Sequence, residues 1–413
     1  MKEPERARNR SAEDRAHFWN GGRPLFEPVY RVLPGECRVR RVPLRSEKTR
    51  VIQSICKLKL ETNRSAIKID KIHWDIMVLM PKESAKLVAG LAKDVFIEQA
   101  GVKKLALAIL DGLKTGKIRE GNFSQIKFHP KPDDPRAADW IFVLDTLNFS
   151  FWTETGAKKW RVNGETGYFA FCAAVSRAID DGKPMWDPKY YSQITQADAE
   201  VIFRGDDEVS IPLIHERIKG LHEAGRVLLD KYKGTFAECI ESCEGSAEKL
   251  LRLIVKEFDS YRDEADYEGH RISIYKRAQI LIGDIWACYE GRGLGEFHDI
   301  DSIAMFADYR IPQVLVHYGA MRYSDSLMGK LKADEPLKQG SREEVEIRAC
   351  SIEAVEQVRD ELRRLIAADP ILAGLNPSDV NTIVIDHYLW DYRREYAQEL
   401  EHIPFHKTRT IYY

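Results

Sequence analysis

From Tyr168 to the C-terminus, apolar residues return every three or four positions in one segment after another, a spacing that calls for helices. Residues 170–180, 196–204, 212–232, 236–240 and 247–258 all carry it. Residues 273–289 are strongly apolar on one face, through Ile274, Ala278, Ile280, Leu281 and Ile285. Residues 312–321 open on Pro312, whose fixed φ and missing N–H suit a first helical turn. Residues 353–367 and 378–400 complete the series. Upstream, 84–99 predicts a helix burying Leu87, Val88, Leu91, Val95 and Phe96, and 103–113 predicts another.

Two stretches break the pattern. Ile141-Phe142-Val143-Leu144-Asp145 is short, apolar and β-branched, and reads as a strand. Residues 158–165 read as an extended pair turning at Asn163-Gly164. The expectation is a mainly α fold with a small β element near 140–166. Residues 324–346, rich in Lys, Asp, Glu and Gly, read as an exposed charged loop insertion. Residues 1–50 contain Pro24, Pro28, Pro34 and Pro43 and are basic through Arg38, Arg40, Arg41 and Arg45. They read as a loosely ordered extension, with 51–413 as one unit. No repeat of fixed period is present.

Composition narrows the function. The chain is 44% hydrophobic and 31% charged, so a core can be buried. A net charge of −2 argues against a protein that coats nucleic acid, and no stable nucleic-acid partner is expected. Seven cysteines with no zinc spacing read as reduced cytosolic thiols. No run of eighteen apolar residues predicts a membrane span, and residues 1–15 lack the apolar core of a secretory signal. These features lead to a cytoplasmic expectation. A phosphate-binding Gly-x-x-x-x-Gly-Lys-Ser/Thr loop, a Gly-x-Gly-x-x-Gly turn after a strand and a His-Glu-x-x-His helix are all missing. Neither a cofactor nor a metal is expected.

Several segments carry residues fit for chemistry. In Phe306-Ala307-Asp308-Tyr309-Arg310-Ile311-Pro312-Gln313, the acid and the arginine fall just outside a helix N-terminus. Free N–H groups there suit an anion such as phosphate; Asp308 serves equally well as a helix cap. In the 378–400 helix, Asp386 and Asp391 lie on different faces, whereas His387 and Asp391 at i and i+4 meet. Apolar neighbours such as Trp390 raise a carboxyl pKa; the alternative is solvated acids pairing with Arg393 and Arg394. Lys276, in Tyr275-Lys276-Arg277-Ala278-Gln279-Ile280-Leu281, either reaches an anion or snorkels to the surface. His73, beside Trp74, either stacks on a flat base or sits satisfied near the core.

Those segments, with Leu147-Asn148-Phe149-Ser150-Phe151-Trp152 and the run from Asp386 to Arg394, occur in an order that resembles the queuosine salvage protein family. The resemblance runs from about Ile52 to the C-terminus. It implies a helical fold like that of helix-hairpin-helix DNA glycosylases, with residues 372–377 as the hairpin. It further implies an N-glycosylase, without metal, that hydrolyses queuosine 5′-monophosphate and releases queuine for reuse in transfer RNA. Such a reaction builds positive charge on the sugar, which a carboxylate stabilises or attacks. Queuine is a 7-deazapurine and has no N7 to protonate.

On this resemblance the catalytic candidates are Asp391 and Asp308, with Asp391 facing the sugar. Asp308 and Asp386 read the base or its cyclopentenediol, and Phe306 and His73 pack on the base. Trp390 lies beside the acids, and Tyr309, Arg310 and Lys276 are candidates for the 5′-phosphate. Two other readings stay open: a hydrolase of the free nucleoside or another modified nucleotide, and a non-catalytic queuine- or tRNA-binding protein.

Overall fold

The computed structural model describes residues 78–116, 126–369 and 376–413, all within the unit Lys68–Tyr413. The N-terminal extension, His73 and most of the hairpin expected at 372–377 lie outside these residues; of the hairpin, Asn376 and Pro377 lead into the 3-10 turn Pro377–Asp379. The described chain runs α1 (Pro81–Leu91), β1 (Val95–Ile97), α2 (Gln99–Lys114), α3 (Ala137–Thr146), β2 (Arg161–Val162), β3 (Glu165–Thr166), α4 (Gly167–Asp180), α5 (Pro188–Tyr191), α6 (Gln196–Ile202) and α7 (Ile214–Lys231). It continues with α8 (Phe236–Glu241), α9 (Ala247–Glu257), β4 (Glu264–Tyr267), β5 (His270–Ser273), α10 (Lys276–Cys288), α11 (Ile311–His317), β6 (Met321–Tyr323), α12 (Asp325–Lys332), α13 (Arg342–Ala368) and α14 (Thr382–Glu395). The fold is mainly α, and its strands form three antiparallel pairs, β1–β6, β2–β3 and β4–β5.

The β2–β3 hairpin turns at Asn163-Gly164, as the sequence predicts. Both residues have positive φ (53° and 76°), and Asp206 accepts both of their N–H groups at 2.8 Å. The rest of the expected β element is helix. Ile141 to Asp145 sit in α3, and every residue there is buried. A helix covered on all sides has no polar face, so its sequence reads as a continuous apolar run rather than as a 3.6-residue period. The reverse occurs at Val95 and Phe96: α1 stops at Leu91, Ala92 turns extended, and β1 pairs with β6.

Residues 324–346 are an exposed loop only in their middle, at 333–340; helices take up both ends. Ser324 caps α12, its hydroxyl accepting Leu327 N–H at 3.1 Å, and Ser341 caps the 27-residue α13. Glu346 is wholly buried and accepts from Lys93 N, Asp94 N and Tyr267 Oη at 2.7–3.0 Å. Glu344, Glu346 and Arg348 on the first turns of α13 are therefore interior partners rather than a solvated face.

Two hydrophobic cores result. The first gathers α3, α4 and α6 to α10 around Phe142, Phe171, Phe236 and Leu281. The second gathers α1, α2, α11 and α13 around Leu105, Val314, Ile352 and Val358. Two segments feed both cores. Along 303–307, Ile303 and Phe306 enter the first core, while Ala304, Met305 and Ala307 enter the second. On α14, Ile383 joins the first core, and Ile385 and Leu389 join the second. The five described cysteines, Cys172, Cys239, Cys243, Cys288 and Cys350, are buried and free. Among the described residues no helix is long and apolar enough to cross a membrane.

Candidate active site

The segment 303–308 belongs to no helix and to none of the three strand pairs. Buried backbone groups need partners, and here side chains supply them. Gln279 Oε1 accepts Ala304 N–H at 2.7 Å, and Asp386 Oδ1 accepts Phe306 N–H at 2.9 Å. Thr382 Oγ1 donates to Ile303 O at 2.9 Å, and Arg348 Nε donates to Ala307 O at 3.1 Å. Arg348 also grips Asp263 at 2.6 and 3.0 Å, and Asp263 accepts the first N–H of α10, that of Lys276, at 3.2 Å. One buried lattice thus fixes the chain before Asp308 and the helix that carries Lys276.

Asp308 leaves this segment and caps α11. Its Oδ1 accepts Arg310 N–H at 2.6 Å and Ile311 N–H at 2.9 Å. The cap reading and the cleft reading both hold, because the same side chain lines the cleft. Phe306 packs flush on α10 at Gly283, where an added Cβ would lie 2.4 Å from the ring.

Asp386 is 5% exposed, and burial raises its carboxyl well above the usual range, with Asp308 adding to the effect. His387 packs tilted against Phe306, 6.3 Å between centroids and 58° between planes, and burial pushes it down to about 4, so its ring stays neutral. The expected meeting of His387 and Asp391 produces no hydrogen bond or ion pair, because His387 turns inward while Asp391 faces the cleft mouth. Although its surface is open, surrounding protein still raises the Asp391 carboxyl; Arg394 opposes the shift and Glu395 adds to it.

Lys276 does not snorkel. It is 4% exposed, donates to Asn148 O at 3.4 Å, and is lowered by burial against the opposing pull of Asp308, Asp145 and Asp386. Around the mouth the chemistry changes. Arg310 Nη1 and Arg393 Nε both donate to Gln313 Oε1, at 3.1 and 2.8 Å. Neither has a carboxylate ion-pair partner among the described residues. Burial and the neighbouring Arg310 push Arg393 down to about 10. Tyr309 and Arg310 pack on Phe405, at 5.4 and 4.2 Å. Trp390 meets Tyr168 edge-on at 6.4 Å and Phe169 at 5.4 Å, with Arg394 over the Phe169 ring at 4.0 Å.

All the described candidates, Lys276, Phe306, Asp308, Tyr309, Arg310, Asp386, Trp390 and Asp391, line one cleft of 1770 Å³. Sequence reasoning missed Asp284, Arg393 and the Tyr168-Phe169 shelf, which line it too. Asp284 did leave a signal: Lys276, Ile280 and Asp284 recur at i, i+4 and i+8 and share the cleft face of α10. An aspartate within Ile280-Leu281-Ile282-Gly283-Asp284-Ile285 has no polar neighbour to explain it. Among the described residues no group of three or more His, Cys, Asp or Glu converges as metal ligands do.

The sequence also has relatives. Residues 128–413 match the family described as queuosine salvage protein. The chain is 46% identical over 341 residues to a Bos taurus protein named queuosine 5′-phosphate N-glycosylase/hydrolase, covering 81% of this chain and 99% of the relative. A Mus musculus protein of the same name is 45% identical over 340 residues with the same coverage. A bacterial one, from Sphaerobacter thermophilus, is 39% identical over 280 residues, covering 67% of this chain and 81% of the relative. With the match running through Asp145, Lys276, Asp308 and Asp386, and with relatives covered almost end to end, this chain belongs to the queuosine salvage protein family.

Proposed function

We propose that this chain is an N-glycosylase that hydrolyses queuosine 5′-monophosphate, releasing queuine for return to transfer RNA in the cytoplasm. The observation that carries the reading is the juxtaposition of a backbone-anchored carboxylate, Asp308, with buried acids at the floor of the cleft and unpaired guanidiniums at its rim. Bond cleavage leaves positive charge at C1′. Asp308, with one oxygen held by two N–H groups, is fixed to stabilise that charge or attack the carbon. This reading moves the sugar-facing role from Asp391 to Asp308. Asp391, with no anchoring bond at the mouth, takes the base or its cyclopentenediol.

Asp386 reads the base. Burial raises its carboxyl well above the usual carboxylate range, and the oxygen that does not hold Phe306 N–H is free to meet a guanine-like edge. Phe306 and the neutral His387 offer flat apolar surface behind it. Arg310 and Arg393 take the 5′-phosphate, since two guanidiniums sharing one amide oxygen have donors to spare. Lys276, expected near the phosphate, instead balances the acids of the floor. The paired arginines favour a nucleotide over the free nucleoside as substrate. A near-neutral net charge supports a small-molecule partner rather than a stable nucleic-acid complex.

Incubation with queuosine 5′-monophosphate, followed by mass detection of queuine, tests the reading. Queuine formed from the nucleotide and much more slowly from the nucleoside is the expected result. Tight queuine binding with no release from either substrate would overturn it.

A further inference from the structure

Below Lys276 lies a group that the roles above do not use. Asp145 ends α3 and Asp284 sits two turns into α10; they are 0% and 5% exposed. Their helices, α3 and α10, pack on each other, and each carboxyl lies in the field of the other. Asp145 Oδ1 accepts from Asn148 Nδ2 at 3.1 Å, but its buried Oδ2 finds no hydrogen-bond partner among the described residues. Two carboxylates cannot face each other in a dry interior with both charged. A single proton held between them supplies the missing bond.

The surroundings fit one stored proton. Lys276 and Arg277 contribute positive charge from α10, and Asp386 contributes a carboxyl from α14. Burial raises Tyr168 and Cys172 of α4 and Cys288 of α10, Asp284 adds to all three shifts and Asp145 to the first two, and Tyr168 Oη bonds His129 Nε2 at 3.1 Å. Burial raises Asp145 to about 7 and holds Asp284 well above the usual carboxylate range. Of the two acids only Asp284 lines the cleft.

We infer that Asp284 hands the proton it shares with Asp145 to the departing base. The inference rests on the glycosylase reading and adds the step that a 7-deazapurine makes necessary, since the base has no N7 to protonate. As the C1′–N bond breaks, its electron pair goes to the base. The Asp284 proton moves to a ring nitrogen of that base, leaving the pair one charge more negative beside Lys276. Water then adds its hydroxyl to C1′, and its remaining proton reloads the pair. The sum is base plus ribose 5-phosphate, with every atom accounted for.

The test is kcat against pH for the wild-type protein, Asp284→Asn and Asp145→Asn, with circular dichroism as the check on folding. A general acid must be protonated, so wild-type kcat falls on the alkaline side. In Asp284→Asn that alkaline limb disappears and kcat drops about 100-fold or more, while KM stays within about twofold. In Asp145→Asn the neighbouring charge that raises Asp284 is gone, so the limb moves to lower pH. A wild-type kcat that is flat from about pH 6 to 9 overturns the inference without any variant. So does an alkaline limb unchanged in either variant. If the wild-type protein forms no queuine at all, the glycosylase reading fails first; if it forms queuine with a flat profile, only the proton store fails.

Discussion

Asp386 and Asp391 stand five residues apart on α14, yet they sit in different solvents. Asp386 is sealed at the floor, bonded to Phe306 N–H and in the field of Asp308 and Lys276. Asp391 is open at the rim, beside Arg394 and Glu395. The difference extends to the whole cleft. Its floor holds Asp284, Asp308 and Asp386 around Lys276, with Asp145 beneath them, whereas its rim holds Arg310, Arg393 and Arg394 backed by aromatic rings. A charge in a dry site acts strongly on bonds being broken, and a charge near water mainly holds an anion. The floor is therefore suited to chemistry and the rim to capture.

The largest expected effect tests that division at the floor. Asp308→Asn lowers kcat about 1000-fold with little change in KM, because the charge facing the sugar is gone. Comparable losses in Asp391→Asn, with Asp308→Asn near wild type, would reverse the two assignments. At the rim, Arg393→Ala raises KM for the 5′-monophosphate about 10- to 100-fold, the worth of one charge-assisted hydrogen bond, and leaves the slow nucleoside reaction alone. Equal losses on both substrates would remove the phosphate from this corner.

A third change probes whether the floor depends on packing. Gly283→Ala places a methyl group 2.4 Å from Phe306, which must shift together with the N–H that Asp386 holds. Stability falls by about 1–3 kcal/mol, read from denaturant unfolding, and kcat falls with it. An unaltered kcat would show that the floor tolerates movement. The smallest effect belongs to Asp391→Asn, less than about tenfold in kcat/KM, as expected of an exposed carboxylate that reads substrate from the rim.

The rim was more legible in the sequence than the floor. Tyr309 and Arg310 stand in a polar, motif-like run next to a helix start, where a cap or an anion site is the natural reading, and Asp308 is the one floor acid that shares that run. Helices with one wet face keep their period, so the expected 247–258 matches α9, although the expected 103–113 misses the first turn of α2. The floor is made of what periodicity hides. Asp145 ends a helix buried all round, so its segment passed for a strand. Lys276 passed for a snorkelling surface residue because nothing local reveals that Asn148, 128 positions earlier, waits for its ammonium. The β4–β5 hairpin turns at Glu268-Gly269, with Glu268 at φ 46°, and a glutamate is not a residue that announces a left-handed turn. Strand β1 is invisible without β6, which lies more than 200 residues away.

The unpaired segment 303–308 has one more consequence. A strand inside a sheet keeps its ladder while distant parts of a protein loosen. This one takes its hydrogen bonds from α10, α13 and α14, and its side chains from both cores. No local opening releases it without disturbing one of those helices. The Phe306 amide, held by Asp386, should therefore exchange its hydrogen with solvent at a rate set by large-scale unfolding. That single amide reports whether the cleft is assembled, and a partly folded chain that has lost it has lost the floor on which a glycosidic bond could be cut.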